Sequence, residues 1–322
     1  MVRGAPVIVP INLGCCTHDP RCLLCPPPPP PPGPELVEAL IHHYRTERAS
    51  PDAPLQVGFY GGAPPTPELL EACGGLPFVA RIRPDLLSRR DVATLVAQGA
   101  IGIELDVLTF RDEALRSAGR RHRRRLALEQ IDGLRSAGLA VGVVLAIGLP
   151  STSHSSSVDD ALLVRDRIDS VRLHPVLVLA GARLREAHMN KRYEPLSLGS
   201  AITTCQAMLE LLEPAGVQII RVGQNPAPDG LGRAVAGPYH PSLRQLVDAR
   251  RVLEMLHRHL RGVHSGARIA IRCHPADETQ TRGPYNQHIR TLRAAHDLEE
   301  VRVEVDPDLS RGELAVDHVG DV

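Results

Sequence analysis

Four of the seven cysteines in this 322-residue chain fall within eleven residues, at Cys15, Cys16, Cys22 and Cys25. The last two form a C-x-x-C pair, in which a tight turn directs both sulfurs at one metal centre. Cysteine thiolates are the protein ligands of iron–sulfur clusters, and Cys15 or Cys16 would supply a third thiolate. Three thiolates on a four-iron cluster leave one iron without a protein ligand, so a small cofactor can chelate that iron directly. The spacing therefore predicts an iron–sulfur site with one open iron.

A structural zinc ion is the alternative occupant of this cysteine loop. Structural zinc takes four protein ligands, commonly as two separated pairs. The chain has no second C-x-x-C pair, and the adjacent Cys15 and Cys16 rarely bind one ion together, but His18 would supply a fourth ligand. The pattern favours the cluster and leaves zinc open.

The composition restricts the partners that the chain attracts. Its 37 basic residues balance 37 acidic ones, so no global field draws it to nucleic acid or to an anionic membrane. Three Phe, five Tyr and no Trp offer few stacking platforms for single-stranded nucleic acid. We find no secretory signal pattern and no apolar run near the ~20 residues of a membrane-spanning helix. These features predict a cytoplasmic protein, in which structural disulfides are rare.

Strands alternate with amphipathic helices along most of the chain, and these elements must position the cysteines. Such alternation predicts βαβ units and a parallel sheet, as a full or partial (β/α) barrel or an open doubly wound sheet. In either architecture, functional residues lie at the carboxyl ends of the strands. The predicted strands are 6–11, 55–60, 78–83, 101–105, 140–147, 171–179 and a candidate seventh at 217–222; the predicted helices are 35–44, 88–98, 111–118, 124–137, 158–167 and 197–212.

The regular alternation of strands and helices ends after about Gly237. A long helix at 241–260 is followed by strand-like runs and one more helix, which predicts a small α+β appendage. We therefore divide the chain into a domain of residues 1–236 and an appendage of residues 237–322. Seven consecutive prolines at 26–32 form a stiff polyproline II segment, which we interpret as a spacer between the cysteine loop and the first helix.

Several short segments, taken with the cysteines in order and spacing, resemble the radical S-adenosylmethionine (SAM) superfamily. The resemblance spans about residues 5–250. The group that it resembles most is the radical SAM domain of the elongator catalytic subunit, without its acetyltransferase domain. The matching segments are Leu13-Gly14-Cys15, Phe59-Tyr60-Gly61-Gly62, Arg83-Pro84-Asp85, Ile103-Glu104-Leu105, Gly148-Leu149-Pro150, Val171-Arg172-Leu173-His174-Pro175, Tyr193-Glu194-Pro195-Leu196, Arg221-Val222-Gly223 and 236–241.

The resemblance implies a fold, two cofactors and a reaction. The fold is an α/β partial (β/α)6 barrel, with a [4Fe–4S] cluster on Cys15, Cys22 and Cys25 and with SAM on the open iron. The reaction is reductive cleavage of SAM to methionine and a 5′-deoxyadenosyl radical, which abstracts a hydrogen from a substrate that the sequence does not identify. It requires an electron donor such as a flavodoxin or ferredoxin. The relatives also suggest tRNA as a partner, which the balanced charge does not support.

The resemblance also assigns residues to SAM. Gly61 and Gly62 lack side chains, so the backbone can approach the amino group of SAM; the alternative is a plain strand-ending turn. Glu104 would accept hydrogen bonds from the amino or ribose groups, unless it serves a structural ion pair or helix cap. Arg83 would pair with the SAM carboxylate or an anionic substrate, unless it pairs with Asp85.

The chain departs from the superfamily pattern at four places. Those around Gly62 and Leu108 support a second hypothesis, a non-catalytic cluster- or SAM-binding protein that has lost radical chemistry, and the retained cysteine triad opposes it. Six residues separate Cys15 from Cys22, where the superfamily usually has three. The other departures are Leu24 in place of an aromatic residue, Ala63-Pro64-Pro65 after the glycine pair, and Leu108-Thr109 in place of a Gln-Ser pair.

Two further features remain open. The basic run at 120–125 would bind a phosphate group, such as one of tRNA, or would form a solvated loop with counter-charges at Asp112 and Glu129. His174, at the end of the sixth predicted strand, either faces the site or is a satisfied histidine of the barrel.

Overall fold

Seven parallel strands of the first compact unit, Met1–Pro241, form one sheet in which neighbours along the chain are also neighbours in space. The structure, a computed structural model, describes residues 6–14, 22–27, 30–50, 53–224 and 233–319. The sheet strands are β1 (Val7–Gly14), β2 (Leu55–Gly61), β3 (Phe78–Ile82), β4 (Ala100–Leu108), β5 (Ala140–Ile147), β6 (Ser170–Pro175) and β8 (Gln218–Val222); the two-stranded pair β7 (Val178–Leu179) and β9 (Ala234–Ala236) is separate.

The sequential strand order distinguishes a barrel from a doubly wound sheet. Parallel crossovers are right-handed, so strands added always on the same side place their helices on one face, and the sheet curls. A doubly wound sheet would instead reverse its order at a switch point. The predicted partial (β/α) barrel is confirmed, and the candidate seventh strand is present as β8.

Helices of the first unit connect these strands. They are α1 (Pro34–His43), α2 (Pro67–Glu71), α3 (Arg89–Ala97), α4 (Asp112–Ser117), α5 (Arg124–Ser136), α6 (His154–Val164), α7 (Leu184–Met189) and α8 (Leu198–Leu212). The predicted start of α6 at 158 is wrong by four residues (158 against 154). Ser153 and Ser156 form a reciprocal capping box, with a serine at the third helical position where Glu or Gln is usual. No helix of the described residues has both the length and the apolar character to cross a membrane.

The second unit, Ser242–Val322, is a small α+β structure that begins five residues after the predicted boundary at 237. Its strands form one sheet in the order β11-β10-β12, with β11 parallel and β12 antiparallel to the central β10. Its own core contains Leu256, Ile269, Ile271 and Leu292, all fully buried. Its elements are α9 (Leu243–His259), β10 (Arg268–Cys273), α10 (Glu278–Arg282), α11 (Gln287–Ala295), β11 (Glu300–Val305) and β12 (Leu314–His318).

A buried carboxylate, Asp160, ties α6 to the turn that follows β4. Its Oδ2 accepts a hydrogen bond from Thr109 Oγ1 at 2.6 Å, and its Oδ1 accepts one from the Phe110 N–H at 3.1 Å. Burial raises the pKa of Asp160 to about 6 from its ordinary 3.8, although these two hydrogen bonds oppose the rise. The fold therefore prefers the protonated form.

We expect Asp160→Asn to stabilise the protein at neutral pH and much less at acid pH. Because the folded-state pKa lies above the ordinary value, the carboxyl's stabilising contribution is fully present below about pH 4 and is lost as the pH rises through about 6. Two units of pKa correspond to about 1–3 kcal/mol of unfolding free energy. Urea denaturation at about pH 4.5 and about pH 7.5 measures the difference, with the exposed Asp159→Asn as the control. A pH-independent effect of Asp160→Asn would contradict this assignment.

Candidate functional site

The described part of the cysteine loop is fixed by backbone hydrogen bonds to two helices. The Leu23 N–H donates to the Ala118 carbonyl at 3.2 Å, and the Leu184 N–H donates to the Leu23 carbonyl at 2.9 Å. Cys22 is buried, and Cys25 is half-buried. Cys15, Cys16 and His18 lie outside the described residues. The C-x-x-C turn is therefore anchored on both sides, at the end of α4 and the start of α7.

Two leucines between the cysteines anchor the loop to the barrel. Leu23 and Leu24 pack against an apolar cluster at the carboxyl ends of the central strands. The buried members of that cluster are Leu108, Leu115, Ala118, Ala146, Leu149, Val176, Val178, Leu184 and Tyr193. Leu24, which replaces the superfamily's aromatic residue, thus still contributes apolar surface to the contact between loop and barrel.

Cys25 faces a cavity of about 500 Å³ toward the carboxyl ends of the strands. A smaller pocket of about 80 Å³ shares four of its lining residues and is also lined by Asp106 and Arg120. The lining residues of the larger cavity are Asn12, Cys25, Tyr60, Gly61, Arg81, Arg172, His174, Arg221 and Gln224. The barrel thus brings Cys25 and Gly61, two predicted site residues far apart in sequence, to one cavity.

The strand register sets the ion pairs of this cavity. Arg81 and Glu104 are register partners on β3 and β4. Across β5, Glu104 Oε1 accepts a hydrogen bond from Arg172 Nε at 2.6 Å. Gly142 of β5 lies between them, and a Cβ there would come within 3.3 Å of Glu104 Cγ. The Arg172 guanidinium also lies 5.6 Å from the centroid of the Tyr60 ring, a cation–π distance.

The second carboxyl oxygen of Glu104 has unused hydrogen-bonding capacity. This atom, Oε2, is buried and accepts no hydrogen bond from any described residue. The Arg81 Nε lies 3.9 Å from it. A buried acceptor without a donor is costly, so the site has room for a ligand that donates a hydrogen bond there. Glu104 therefore forms an ion pair, the alternative role given in the sequence analysis, and its Oε2 can also accept a hydrogen bond from a ligand.

Asp106, two residues further along β4, binds two arginines. Its Oδ1 lies 3.1 Å from Arg81 Nη2, and its Oδ2 lies 2.8 Å from Arg120 Nη2. Burial alone would raise the pKa of Asp106, but the two guanidiniums hold it well below its ordinary value. The carboxylate is therefore ionised and joins β3, β4 and the loop after α4.

Arg83 forms an ion pair with a neighbouring carboxylate. Only 1% of it is exposed, and its guanidinium makes two hydrogen bonds to Asp85, of 3.1 and 2.7 Å. His122 Nδ1 lies 3.5 Å from the same carboxylate. Burial raises the pKa of Asp85, but His122 and Arg83 lower it overall. The structure thus places Arg83 in the pair with Asp85, and its contact with SAM remains a prediction.

The glycine pair has a packing reason of its own. A Cβ on Gly61 would lie 2.7 Å from Leu13 Cβ and 3.0 Å from the Gly14 carbonyl oxygen, so β1 leaves no space for a side chain. The Gly62 carbonyl accepts a hydrogen bond from the Arg83 N–H at 2.9 Å. The backbone contact of these glycines with SAM remains a prediction.

His174 lies in the cavity as a neutral imidazole. Burial lowers its pKa to about 3, and Arg81 lowers it further. Its Nε2 is buried and has no hydrogen-bond partner among the described residues. Sequence reasoning named His174 but overlooked Arg81, Arg172 and Arg221 as lining residues. Residues two positions apart on a strand point to the same face of the sheet. Arg172 and His174 have this spacing on an otherwise apolar strand, and this signal would have identified Arg172 as a lining residue.

The basic run at 120–125 divides between core and surface. Arg120 and His122 are buried, the first on Asp106 and the second with its Nε2 3.0 Å from the Val107 carbonyl oxygen. The other four arginines of the run are exposed. Two of its six residues therefore belong to the barrel interior, which reduces the phosphate-binding surface that the run presents.

Sequence comparisons place the chain beside known proteins. Residues 168–254 match the family described as Radical_SAM C-terminal domain. The chain is 27% identical over 172 residues to Elongator complex protein 3 of Danio rerio. The aligned region covers 52% of this chain and 31% of that protein. It is 26% identical over 195 residues to the tRNA uridine(34) acetyltransferase of Dehalococcoides mccartyi, covering 57% of this chain and 42% of that protein. The chain thus spans less than half the length of these relatives.

Solved structures share the fold. An archaeal Elp3 from Methanocaldococcus infernus superposes with a TM-score of 0.57 at 17% identity, covering 78% of this chain and 63% of that one. HydG, a maturase of the [FeFe]-hydrogenase, superposes with a TM-score of 0.51 at 11% identity, and the match covers 76% of this chain and 55% of that one. These two structures show the fold. The family match over residues 168–254 and the two relatives show that the chain is similar to radical SAM proteins, and in particular to the elongator catalytic subunits.

Proposed function

We propose that this protein is an iron–sulfur radical SAM enzyme that cleaves SAM reductively to generate a 5′-deoxyadenosyl radical. The observation that carries the proposal is that Cys25 and Gly61 line one cavity at the carboxyl edge of the curled parallel sheet. Radical chemistry needs its cofactors enclosed and oriented by the protein, and this cavity lies inside the barrel.

The residues present fit a [4Fe–4S] cluster. Cys22 and Cys25 would hold two irons with Cys15 as the third ligand, and thiolates are the donors that such a cluster takes. Among the described residues, no set of three or more His, Cys, Asp and Glu side chains is arranged to hold a metal ion, and the proposed third ligand, Cys15, lies outside them. When bound, the cluster supplies the electron that cleaves SAM.

Other side chains of the chain orient SAM and exclude water. The unpartnered Oε2 of Glu104 would accept a hydrogen bond from the SAM amino group. Leu24, packed with its apolar cluster, closes the barrel beside Cys25. A small protein electron donor of the flavodoxin or ferredoxin class would deliver the electron in the cytoplasm, where thiols stay reduced. The tRNA named for the D. mccartyi relative is not part of this proposal.

Anaerobic reconstitution tests the proposed function directly. With iron, sulfide, dithionite and SAM, the full chain should bind about four irons and release 5′-deoxyadenosine and methionine, measured by liquid chromatography. Release of 5′-deoxyadenosine should require both dithionite and the cluster. A protein that binds the cluster and SAM without forming 5′-deoxyadenosine would instead be the non-catalytic binding protein, which the altered Ala63-Pro64-Pro65 segment favours.

A further inference from the structure

The cavity holds more cations than carboxylates. Within the described chain, the guanidiniums of Arg81, Arg120, Arg172 and Arg221 line the two pockets. Among the residues that the structure describes, the carboxylates that contact these arginines are Glu104 and Asp106, so four positive charges meet two negative ones there. Buried charges are stable only when they are paired, so this surplus favours an anionic ligand.

Arg221 has no carboxylate partner. Arg81 and Arg120 bind Asp106, and Arg172 binds Glu104. Arg221, half-buried on β8, forms no ion pair or hydrogen bond with the residues that the structure describes. A guanidinium offers five N–H donors in a planar fork that matches carboxylate and phosphate oxygens. Its unused donors point to a ligand oxyanion.

His174 supplies a second unused group in the same cavity. Its Nε2 is buried without a hydrogen-bond partner in the described chain, and His174 and Arg221 both line the cavity. Burial, with a smaller contribution from the surrounding arginines, lowers the pKa of His174 and keeps the imidazole neutral. In the tautomer protonated at Nε2, the ring donates one hydrogen bond and adds no charge. An unpaired guanidinium and an unpaired ring nitrogen thus face one volume.

SAM alone does not balance this charge. A cluster on three thiolates is net anionic, and SAM, with a sulfonium and an ammonium against one carboxylate, is net cationic; together they leave the arginine surplus in place. Cys25 and Arg221 line the same cavity, so the remaining positive charge points to an anion on a second molecule that lies beside SAM there.

We propose that the substrate of this enzyme carries a carboxylate or phosphate group that Arg221 and His174 bind inside the barrel. The identification of the anion as part of a substrate rests on the proposed function, but the anion site itself does not. Arg221 would supply the charge and His174 a neutral hydrogen bond. Both residues act as binding residues, and no chemical step is assigned to them.

Anion binding to the reconstituted full chain tests the proposal. Inorganic phosphate and acetate are titrated at constant ionic strength, and binding is followed by calorimetry and by the rise in melting temperature. We expect saturable binding, weakened about 10- to 100-fold by Arg221→Gln, since charge-assisted hydrogen bonds are worth about 1.5–3 kcal/mol. Arg221→Lys should retain part of the affinity, and His174→Phe should lose less than Arg221→Gln. The exposed Arg89→Gln carries the same change in charge and should bind like the wild type.

The outcomes separate this inference from the proposed function. The stronger of the two probes tells a phosphate substrate from a carboxylate one. SAM affinity, measured on the same variants, should not change in Arg221→Gln. A loss of SAM affinity in that variant, or anion binding that does not depend on Arg221, would overturn the inference. Anion binding that depends on Arg221 in a protein that never forms 5′-deoxyadenosine would support the site and sink only the radical chemistry.

Discussion

Cys25→Ala should abolish cluster binding and leave the fold intact. Cys25 is half-buried at the cavity, so its truncation removes a ligand without opening a large hole in the core. A cluster held by two of three thiolates is expected to be lost during reconstitution, taking with it the visible absorbance and the release of 5′-deoxyadenosine. Iron content should fall at least about tenfold, because even the loss of an outer-shell partner of a metal ligand typically costs about 10- to 100-fold in metal affinity. Absorbance spectra and metal analysis of the anaerobically reconstituted protein measure this result.

Cys205→Ala is the matched control for this substitution. Cys205 is fully buried in α8, and burial raises the pKa of its thiol to about 12, so it is an inert core residue. Its alanine variant should keep the cluster and the product. Stoichiometric zinc in the protein as isolated, lost in Cys25→Ala, would identify the site as zinc and contradict the cluster. Cys22→Ala should behave as Cys25→Ala does, with an added cost in stability because Cys22 is buried.

Asp106→Asn should destabilise the first unit by about 3–5 kcal/mol, the range measured when one partner of a buried ion pair is removed. Both side chains of the Asp106–Arg120 pair are almost wholly buried, and Arg81 binds the other oxygen. An asparagine would remove the negative charge that lies 2.8 Å from the buried Arg120 guanidinium. Urea denaturation followed by circular dichroism measures the change in unfolding free energy.

An exposed ion pair provides the control for Asp106→Asn. Asp132 lies 3.2 Å from Arg167, with both side chains about half exposed, and Asp132→Asn should cost at most about 1 kcal/mol. If Asp106→Asn does not fold, the double variant Asp106→Asn, Arg120→Gln should recover part of the stability, because it removes the unpaired charge. Equal effects of Asp106→Asn and Asp132→Asn would show that the buried network is not a source of stability.

The sequence alone determined the elements and the metal-binding motif. The apolar run of β5 and the period of α5 are local patterns, as is the C-x-x-C pair of Cys22 and Cys25. Local patterns did not determine the strand order, because alternating strands and helices fit a barrel and a doubly wound sheet equally well. The observed order β1-β2-β3-β4-β5-β6-β8 decided for the barrel. The start of α6 was placed too late because the serines at 153–157 were not recognised as a capping box and first turn.

Only the tertiary structure decided which charged side chains meet. Glu104 and Arg172 are 68 residues apart in sequence, and their hydrogen bond spans β5, where Gly142 has no side chain beside Glu104. Arg120, part of a run that reads as a surface patch, turns inward to Asp106. Charge pairing depends on distance in space, which neither spacing nor periodicity encodes, so Arg221 and the surplus of arginines around it became visible only in the folded barrel.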